Sequence, residues 1–328
     1  MAKQASSKGR KKTSRFGTVS IAGRPNAGKS TLLNALIGAR LAIVSPKPQT
    51  TRHNIMGVWT GTTEGGEPAQ AVFFDTPGIH ASDTLLNRRM MQQVRAALES
   101  RDLLLYVADA AALGDEAELP EEERKALDTL RKARENGSTP ALLVLNKIDL
   151  LAHKDRLLPR LEAFRQALDF DEYFPVSAKT GEGLPALKEA ILKMLPEGQA
   201  VYDEDYLTDL PERAIAAEVI REKILENTSR EVPHSVAVLI DKWEEAKGLA
   251  KVYASIVVER AGQKPILIGA GGQMLKKIGT EARLALEDLL GKRLHLQLFV
   301  KVRAKWREDE QFLDELKWQN TSEVKKIQ

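Results

Sequence analysis

Gly23-Arg24-Pro25-Asn26-Ala27-Gly28-Lys29-Ser30-Thr31 sets two glycines around four residues and follows them with Lys and Ser. That is the spacing of a phosphate-binding loop. The apolar run Val19 to Ala22 before it reads as a buried strand. Leu32, Leu33, Leu36 and Ile37 after it recur at helical spacing. Strand, glycine loop and helix is the context the motif requires. The glycines let backbone N–H groups curl round a phosphate chain, and the helix N-terminus adds a partial positive charge. Lys29 can reach the terminal phosphates, and the Ser30 hydroxyl suits Mg²⁺.

Outward from this loop, strands and helices alternate. Upstream, a first strand runs from about Phe16. Downstream, residues 40–53, with Ser45-Pro46-Lys47-Pro48-Gln49-Thr50-Thr51-Arg52-His53, hold two prolines and no periodicity and read as a long loop. Ile55–Thr60 and Ala71–Phe74 predict a hairpin. It ends in Asp75-Thr76-Pro77-Gly78, an acid at a strand end before a glycine turn, placed to hold Mg²⁺ through water. Helices are predicted over 84–99, 120–134, 154–168 and 184–195. Buried strands are predicted over 103–107, 141–145 and 173–176. This order argues a mostly parallel sheet covered on both faces, with its polar motifs at the strands' C-terminal edges.

Asn146-Lys147-Ile148-Asp149 selects the base. Guanine presents an N1–H and an amino group side by side, and the Asp149 carboxylate can accept from both; adenine would leave it buried without partners. Asn146 should tie this loop to the phosphate loop and the purine edge. In Ser177-Ala178-Lys179 the Ala178 N–H should meet the guanine oxygen.

The whole chain bounds these readings. Its 328 residues suit two domains, and its 43% apolar content suits real cores. It has no cysteine, which excludes disulfides, thiolate metal sites and cysteine nucleophiles. No apolar run approaches the roughly eighteen residues of a membrane span, and no signal-peptide core is seen, so a cytoplasmic home is expected. The net charge of +3 is unevenly spread. Residues 1–15 are basic without an acid and read as a disordered arm. Residues 197–210, acidic and bounded by Pro196 and Pro211, read as a linker between a unit over 16–196 and one over 211–328.

The second unit reads α–β–β–α–α–β–α. It has a helix over 211–227 and strands over 235–240 and 251–258, then Pro265–Ile268 and a helix carrying Ile278, Ala282, Ala285, Leu286 and Leu289. The strand Leu294–Val302, with every second residue apolar, precedes a last helix over 308–316. Residues 260–307 carry eleven Lys or Arg against three Asp or Glu. Within them Gly269-Ala270-Gly271-Gly272 opens a helix bearing Lys276, Lys277 and Arg283, an arrangement that can clamp a nucleotide backbone. Arg260, Lys292, Arg293, Lys301, Arg303, Lys305 and Arg307 lie nearby in sequence. His53 reads as a polar loop residue, His80, His153, His234 and His295 lack metal-ligand spacing, and Trp243, Trp306 and Trp318 read as packing residues.

With these motifs in place, the chain resembles the Era family of translation-factor-class GTPases from Phe16 to about Leu316. The segments that carry the resemblance are 23–31, 45–53, 75–78, 146–149, 177–183, 268–283 and 300–306. The resemblance implies an α/β P-loop G domain with a six-stranded mostly parallel sheet, followed by an α+β type II KH domain. It implies GTP, GDP and Mg²⁺ as ligands, held by Gly23 to Thr31, Asp75 to Gly78, Asn146, Lys147, Asp149 and Ser177 to Lys179. Ser30, Thr51 and Asp75 would serve the metal, and Lys29, Thr51 and Gly78 the chemistry. It also implies binding to small-subunit ribosomal RNA near its 3′ end, a role in assembling the small ribosomal subunit, a monomer, and peripheral contact with the inner membrane face. Asn26 and the 40–53 loop resemble those of GTPases that recruit K⁺. Ile79 stands where a water-orienting Gln would be, so hydrolysis should be slow. Two features depart from the pattern: Ala270 and Gly271 replace the usual polar residues between the KH glycines, and the basic arm is longer than the family core needs. The rival expectation is a GTP-gated scaffold whose second domain recruits protein or anionic membrane. A tRNA-modifying GTPase shares the phosphate loop but would want a cysteine.

Overall fold

The computed structural model describes residues 14–45, 47, 50–79, 84–99, 101–113, 118–134, 139–229, 232–246 and 248–318. The basic residues before Ser14, Pro46, Pro48, Gln49, His80 and the side chains of His234 and Trp318 lie outside them.

The first unit runs β1 (Arg15–Ala22), α1 (Lys29–Ile37), β2 (Ile55–Thr62), β3 (Pro68–Asp75), α2 (Leu85–Glu99), β4 (Leu103–Asp109), α3 (Glu121–Arg134), β5 (Ala141–Asn146), α4 (Leu157–Ala167), β6 (Glu172–Pro175) and α5 (Leu184–Met194). Its six strands lie in the order β2-β3-β1-β4-β5-β6. Only β2 and β3 pair antiparallel; the remaining neighbours are parallel. The alternation of side chains along β4 shows why both faces are covered. Leu103, Leu105 and Val107 enter a core closed by α1 and α5, whereas Leu104, Tyr106 and Ala108 enter one closed by α2, α3 and α4. The chain leaves β1 through α1 for the edge strand β2 and crosses from β3 through α2 to β4 on the other side of β1, so the phosphate loop sits where the strand order reverses.

The second unit runs α6 (Glu212–Asn227), α7 (Val232–Ser235), β7 (Val236–Ala246), β8 (Leu249–Val258), α8 (Gln263–Ile268), α9 (Gln273–Leu290), β9 (Arg293–Val302) and α10 (Glu310–Trp318). β7 and β8 are antiparallel, and β9 adds parallel to β8. Helices α6, α8 and α9 cover one face of this sheet through Ala216, Ile220, Leu267, Ile278, Ala282 and Leu286. Ala237, Leu239 and Val257 on the other face pack on Trp306, Phe312 and Leu313, and on Leu86 and Met90 of α2 from the first unit.

Several expectations are corrected. The first strand begins at Arg15, not after it: Arg15 Nη1 donates to the carbonyls of Lys193 and Leu195, and its Nε to Glu67, so this residue belongs to the fold. β7 extends six residues past the predicted end, because a bulge between Ile240 and Lys242 restores its pairing with β8. In β9, Leu294 and Val300 are buried but Val302, on the same alternating face, is 44% exposed. The last helix starts at Glu310, after a single 3-10 turn over Trp306–Glu308.

The acidic segment 197–210 is not a free tether. The Gln70 side-chain oxygen accepts from the N–H groups of Val201 and Tyr202. Val58 N–H donates to the Leu207 carbonyl, and Tyr202 and Tyr206 pack near Met56, Val58 and Val72. The segment thereby covers β2, an edge strand of the sheet.

Candidate nucleotide site and RNA-binding groove

The phosphate loop joins β1 to α1 and folds over Lys29, which is 5% exposed. Lys29 Nζ donates to the carbonyls of Arg24 at 2.9 Å and Gly23 at 3.2 Å. Burial pulls its ammonium down to about 8, against the opposing pull of Asp75 and Glu123. Gly28 stands at φ 93°, and a Cβ there would lie 2.3 Å from Asn146 Nδ2. Only glycine lets the base-selecting loop approach so closely.

Three oxygen groups from separate elements converge beside Lys29. Ser30 Oγ donates to Asp75 Oδ2 at 2.6 Å and lies 2.8 Å from Thr51 Oγ1. Thr51 Oγ1 is 3.3 Å from the same carboxylate oxygen. Thr50 turns its hydroxyl to the Lys47 carbonyl instead, at 2.6 Å. Asp75 is fully buried, its carboxyl is pushed up by desolvation, and its Oδ1 has no hydrogen-bond partner among the described residues. An all-oxygen set with one orphaned buried carboxylate oxygen fits a hard divalent cation such as Mg²⁺. A cavity of about 390 Å³ opens here, lined by the loop, by 43–45 and 50–51, and by Gly78 and Lys147.

The base-selecting residues form a second hub. Asn146 Nδ2 donates to the Ala27 carbonyl at 2.9 Å, as the sequence leads one to expect. Its Oδ1 accepts the Ala178 N–H at 2.9 Å, so the donor expected for the guanine oxygen is engaged within the protein. Asp149 Oδ1 accepts from Ser177 Oγ at 2.6 Å. Lys147 adopts φ 65° and reaches Asp109 Oδ2 at 2.6 Å, a partner that no motif signalled. Thr76 donates its hydroxyl to the Ile21 carbonyl, and Lys179 is exposed.

In the second unit, Gly269 (φ 71°), Gly271 (φ 55°) and Gly272 (φ 80°) make the turn before α9. A groove of about 390 Å³ runs from Gly272 along α9, past Lys276, Gly279, Thr280 and Arg283, and is closed by Leu296, Gln297 and Leu298 of β9. Lys276 is exposed at its rim, and Lys277 lies 3.9 Å from Glu281. Sequence reasoning missed the β9 wall, which only the sheet register brings against α9.

The basic count of 260–307 overstates the free positive charge. Arg283 pairs with Glu287, Lys292 with Glu212 and Glu245, Lys301 with Asp241, Arg303 with Asp309 and Arg307 with Glu259. All but one of these acids lie outside the counted window. Trp306 is fully buried and donates to the Ser235 carbonyl, in keeping with a packing role.

A family model described as 50S ribosome-binding GTPase matches residues 18–147, and one described as KH domain matches 231–307. GTPase Era of Syntrophus aciditrophicus (strain SB) is 45% identical over 91% of this chain and 94% of its own length. The chain belongs to the Era family of GTPases. GTPase Era of Geobacter metallireducens is 44% identical over 92% of this chain and 97% of its own length. A point variant of Aquifex aeolicus Era, solved with GDP·AlF₄⁻, superposes with a TM-score of 0.84 at 36% identity, covering 92% of this chain and 98% of that one. An Era structure with MgGDPNP and nucleotides 1506–1542 of 16S ribosomal RNA gives the same TM-score, identity and coverage. The Era-family fold, a P-loop GTPase domain with a C-terminal KH domain, is therefore the fold of this chain.

Proposed function

We propose that this protein is a slow GTP-hydrolysing switch that binds small-subunit ribosomal RNA near its 3′ end during assembly of the small ribosomal subunit. The convergence of Ser30, Thr51 and Asp75 beside Lys29 carries the nucleotide half of this reading. The Era relative solved with a 16S fragment supports the RNA half. The G domain is taken as 16–196 extended by Arg15, the connecting segment as 197–210 and the KH domain as 211–328.

In this reading the N–H groups from Gly23 to Thr31 cradle the phosphates and Lys29 neutralises their charge. Asp149 and Asn146 select guanine, with Lys147 held by Asp109 beside them, and Ser177, Ala178 and Lys179 complete the base pocket. Mg²⁺, when bound at Ser30, Thr51 and Asp75, supplies charge stabilisation to phosphate oxygens. Asp75 to Gly78 and Thr51 close on the terminal phosphate. Ile79, 8% exposed, offers no polar atom to orient water, which keeps intrinsic turnover slow. The RNA backbone follows Gly269 to Gly272 and Lys276, with Lys277 and Arg283 reaching it once released from Glu281 and Glu287.

K⁺ recruited near Asn26, which is exposed at φ 64°, belongs to the same proposal; equal turnover in sodium and potassium buffers would remove it. So do a cytoplasmic location, a monomeric state and peripheral contact with anionic membrane. Among the described residues no helix is long and apolar enough to cross a membrane. GTP turnover with sequencing of cross-linked RNA tests the main reading. Anionic-vesicle flotation and size-exclusion chromatography test the rest.

A further inference from the structure

Arg24 is the second residue of the phosphate loop, yet it does not line the nucleotide cavity. It lines a separate cavity of about 680 Å³ between α2 and α3. Its Nη1 donates to Glu123 Oε2 at 3.3 Å, in the first turn of α3. Glu123 is 3% exposed, and its Oε1 accepts from the buried Tyr106 hydroxyl of β4 at 2.6 Å. Both carboxylate oxygens are thus engaged, one by the sheet and one by the loop.

The backbone beside this anchor does two further things. The Arg24 carbonyl accepts from Lys29 Nζ at 2.9 Å. Pro25 presses on the Asp75–Gly78 turn so closely that a Cβ on Gly78 would lie 2.6 Å from Pro25 N. Residues 24 and 25 are therefore wedged between the phosphate-binding lysine and the turn that faces the terminal phosphate. Ile79 N–H holds the Gly23 carbonyl at 3.1 Å, but within the loop Ala27 N–H reaches the Arg24 carbonyl only at 3.4 Å, so the charge-assisted tether of the Arg24 side chain adds to the backbone bonding that sets where residues 24 and 25 sit.

We propose that Glu123 is a positioning residue for GTP hydrolysis, anchoring Arg24 to α3 and so fixing the Arg24–Pro25 segment between Lys29 and Gly78. It touches neither substrate nor metal and acts through Arg24. The inference rests on the GTPase reading of the site. Small displacements of groups facing the reacting phosphate are costly in rate while leaving much of the binding energy intact. The signature of this role is consequently a loss in turnover larger than the loss in affinity.

The test uses the full chain as wild type, Glu123→Gln, Arg24→Gln, the double variant and Arg24→Lys. It measures single-turnover GTP hydrolysis, GDP affinity and nucleotide-free melting. Glu123→Gln is expected to slow turnover about tenfold while GDP affinity changes by less than about threefold. The double variant is expected to be no slower than Arg24→Gln alone, because the two residues act as one unit. Arg24→Lys, which keeps a cation for Glu123, is expected to be faster than Arg24→Gln. Wild-type turnover in a folded Glu123→Gln, or losses that multiply in the double variant, would overturn the proposal. If Glu123→Gln does not fold, Tyr106→Phe removes one donor from the same carboxylate and is expected to slow turnover about threefold; unchanged turnover there overturns the proposal too. A wild-type protein that hydrolyses no GTP would overturn the GTPase reading itself, whereas a normal wild type beside an unaffected Glu123→Gln overturns only the positioning role.

Discussion

Arg52 donates from Nη1 to the Val236 carbonyl at 2.7 Å, so the residue after Thr51 is bonded to the first residue of β7. Thr51 itself is held at Ser30 and Asp75. One peptide unit thus joins the nucleotide site to the KH sheet. Around it, Arg221 of α6 donates to the Thr50 carbonyl, and Glu222 pairs with Arg40 and accepts from Val44 N–H. The Arg52 guanidinium lies 5.6 Å from the Trp306 ring, and its Nε and Nη2 are buried without hydrogen-bond partners among the described residues.

Burying that guanidinium is costly, enough to bring Arg52 down to about 9, and the buried contact lies one residue from Thr51. Arg52→Ala should therefore uncouple the domains. The difference in RNA affinity between the GTP-analogue and GDP states is expected to shrink to within about threefold, with nucleotide affinity nearly unchanged. Filter binding in both nucleotide states measures this; a difference as large as in wild type would show that the link carries no coupling.

Asp149→Asn should weaken GTP binding by about 2–4 kcal/mol, because the site loses its acceptor for the guanine N–H pair. It should also favour xanthosine nucleotides, since the carboxamide can donate to the extra oxygen. Competition titration with the two nucleotides reads the switch directly, and undiminished GTP affinity would remove Asp149 from the base pocket.

The RNA groove makes a separate prediction. Ala270→Asp with Gly271→Asp puts two acids against the phosphate path, and position 271 at φ 55° is one that Asp tolerates better than most residues. RNA affinity should fall by several kcal/mol with GTP binding unchanged. Lys276→Ala should lower the salt slope by about one ion, because Lys276 is exposed at the groove rim. Titrations of single-stranded RNA at several salt concentrations test both; wild-type affinity in the double variant would move the RNA to another face.

Lys29 gives a pH dependence. Its pKa in the free protein is lowered to about 8, and bound phosphates favour its charged form. Affinity is then full below pH 8 and falls as pH rises through 8, by about tenfold at pH 9. For folding the sign is opposite: between about 8 and 10.5 the unfolded chain binds the extra proton, so stability rises with pH across that window. GDP titrations in EDTA from pH 7 to 9.5 measure the binding effect, and a flat profile would show that Lys29 stays charged throughout.

Features that depend on local spacing were legible in the chain itself. The phosphate loop, Asp75 to Gly78 and Asn146 to Asp149 are contiguous, and each sits where an apolar run ends, so type, order and place at the sheet edge could be read together. Period and length likewise separated the strands of the first unit from its helices. Which charges meet was settled only by the fold in three dimensions. Glu123 with Arg24, Lys147 with Asp109, and Arg52 with Val236 are separated by 99, 38 and 184 positions. The basic stretch 260–307 was legible as a count, but its neutralisation by Glu212, Asp241, Glu245, Glu259 and Asp309 was not. The acidic segment 197–210 was likewise legible as a linker, but the bonds from Gln70 and Val58 that hold it were not. Composition sums charges along the chain, whereas Coulomb energy and hydrogen bonding act over a few ångströms in space, and only the folded register sets those distances.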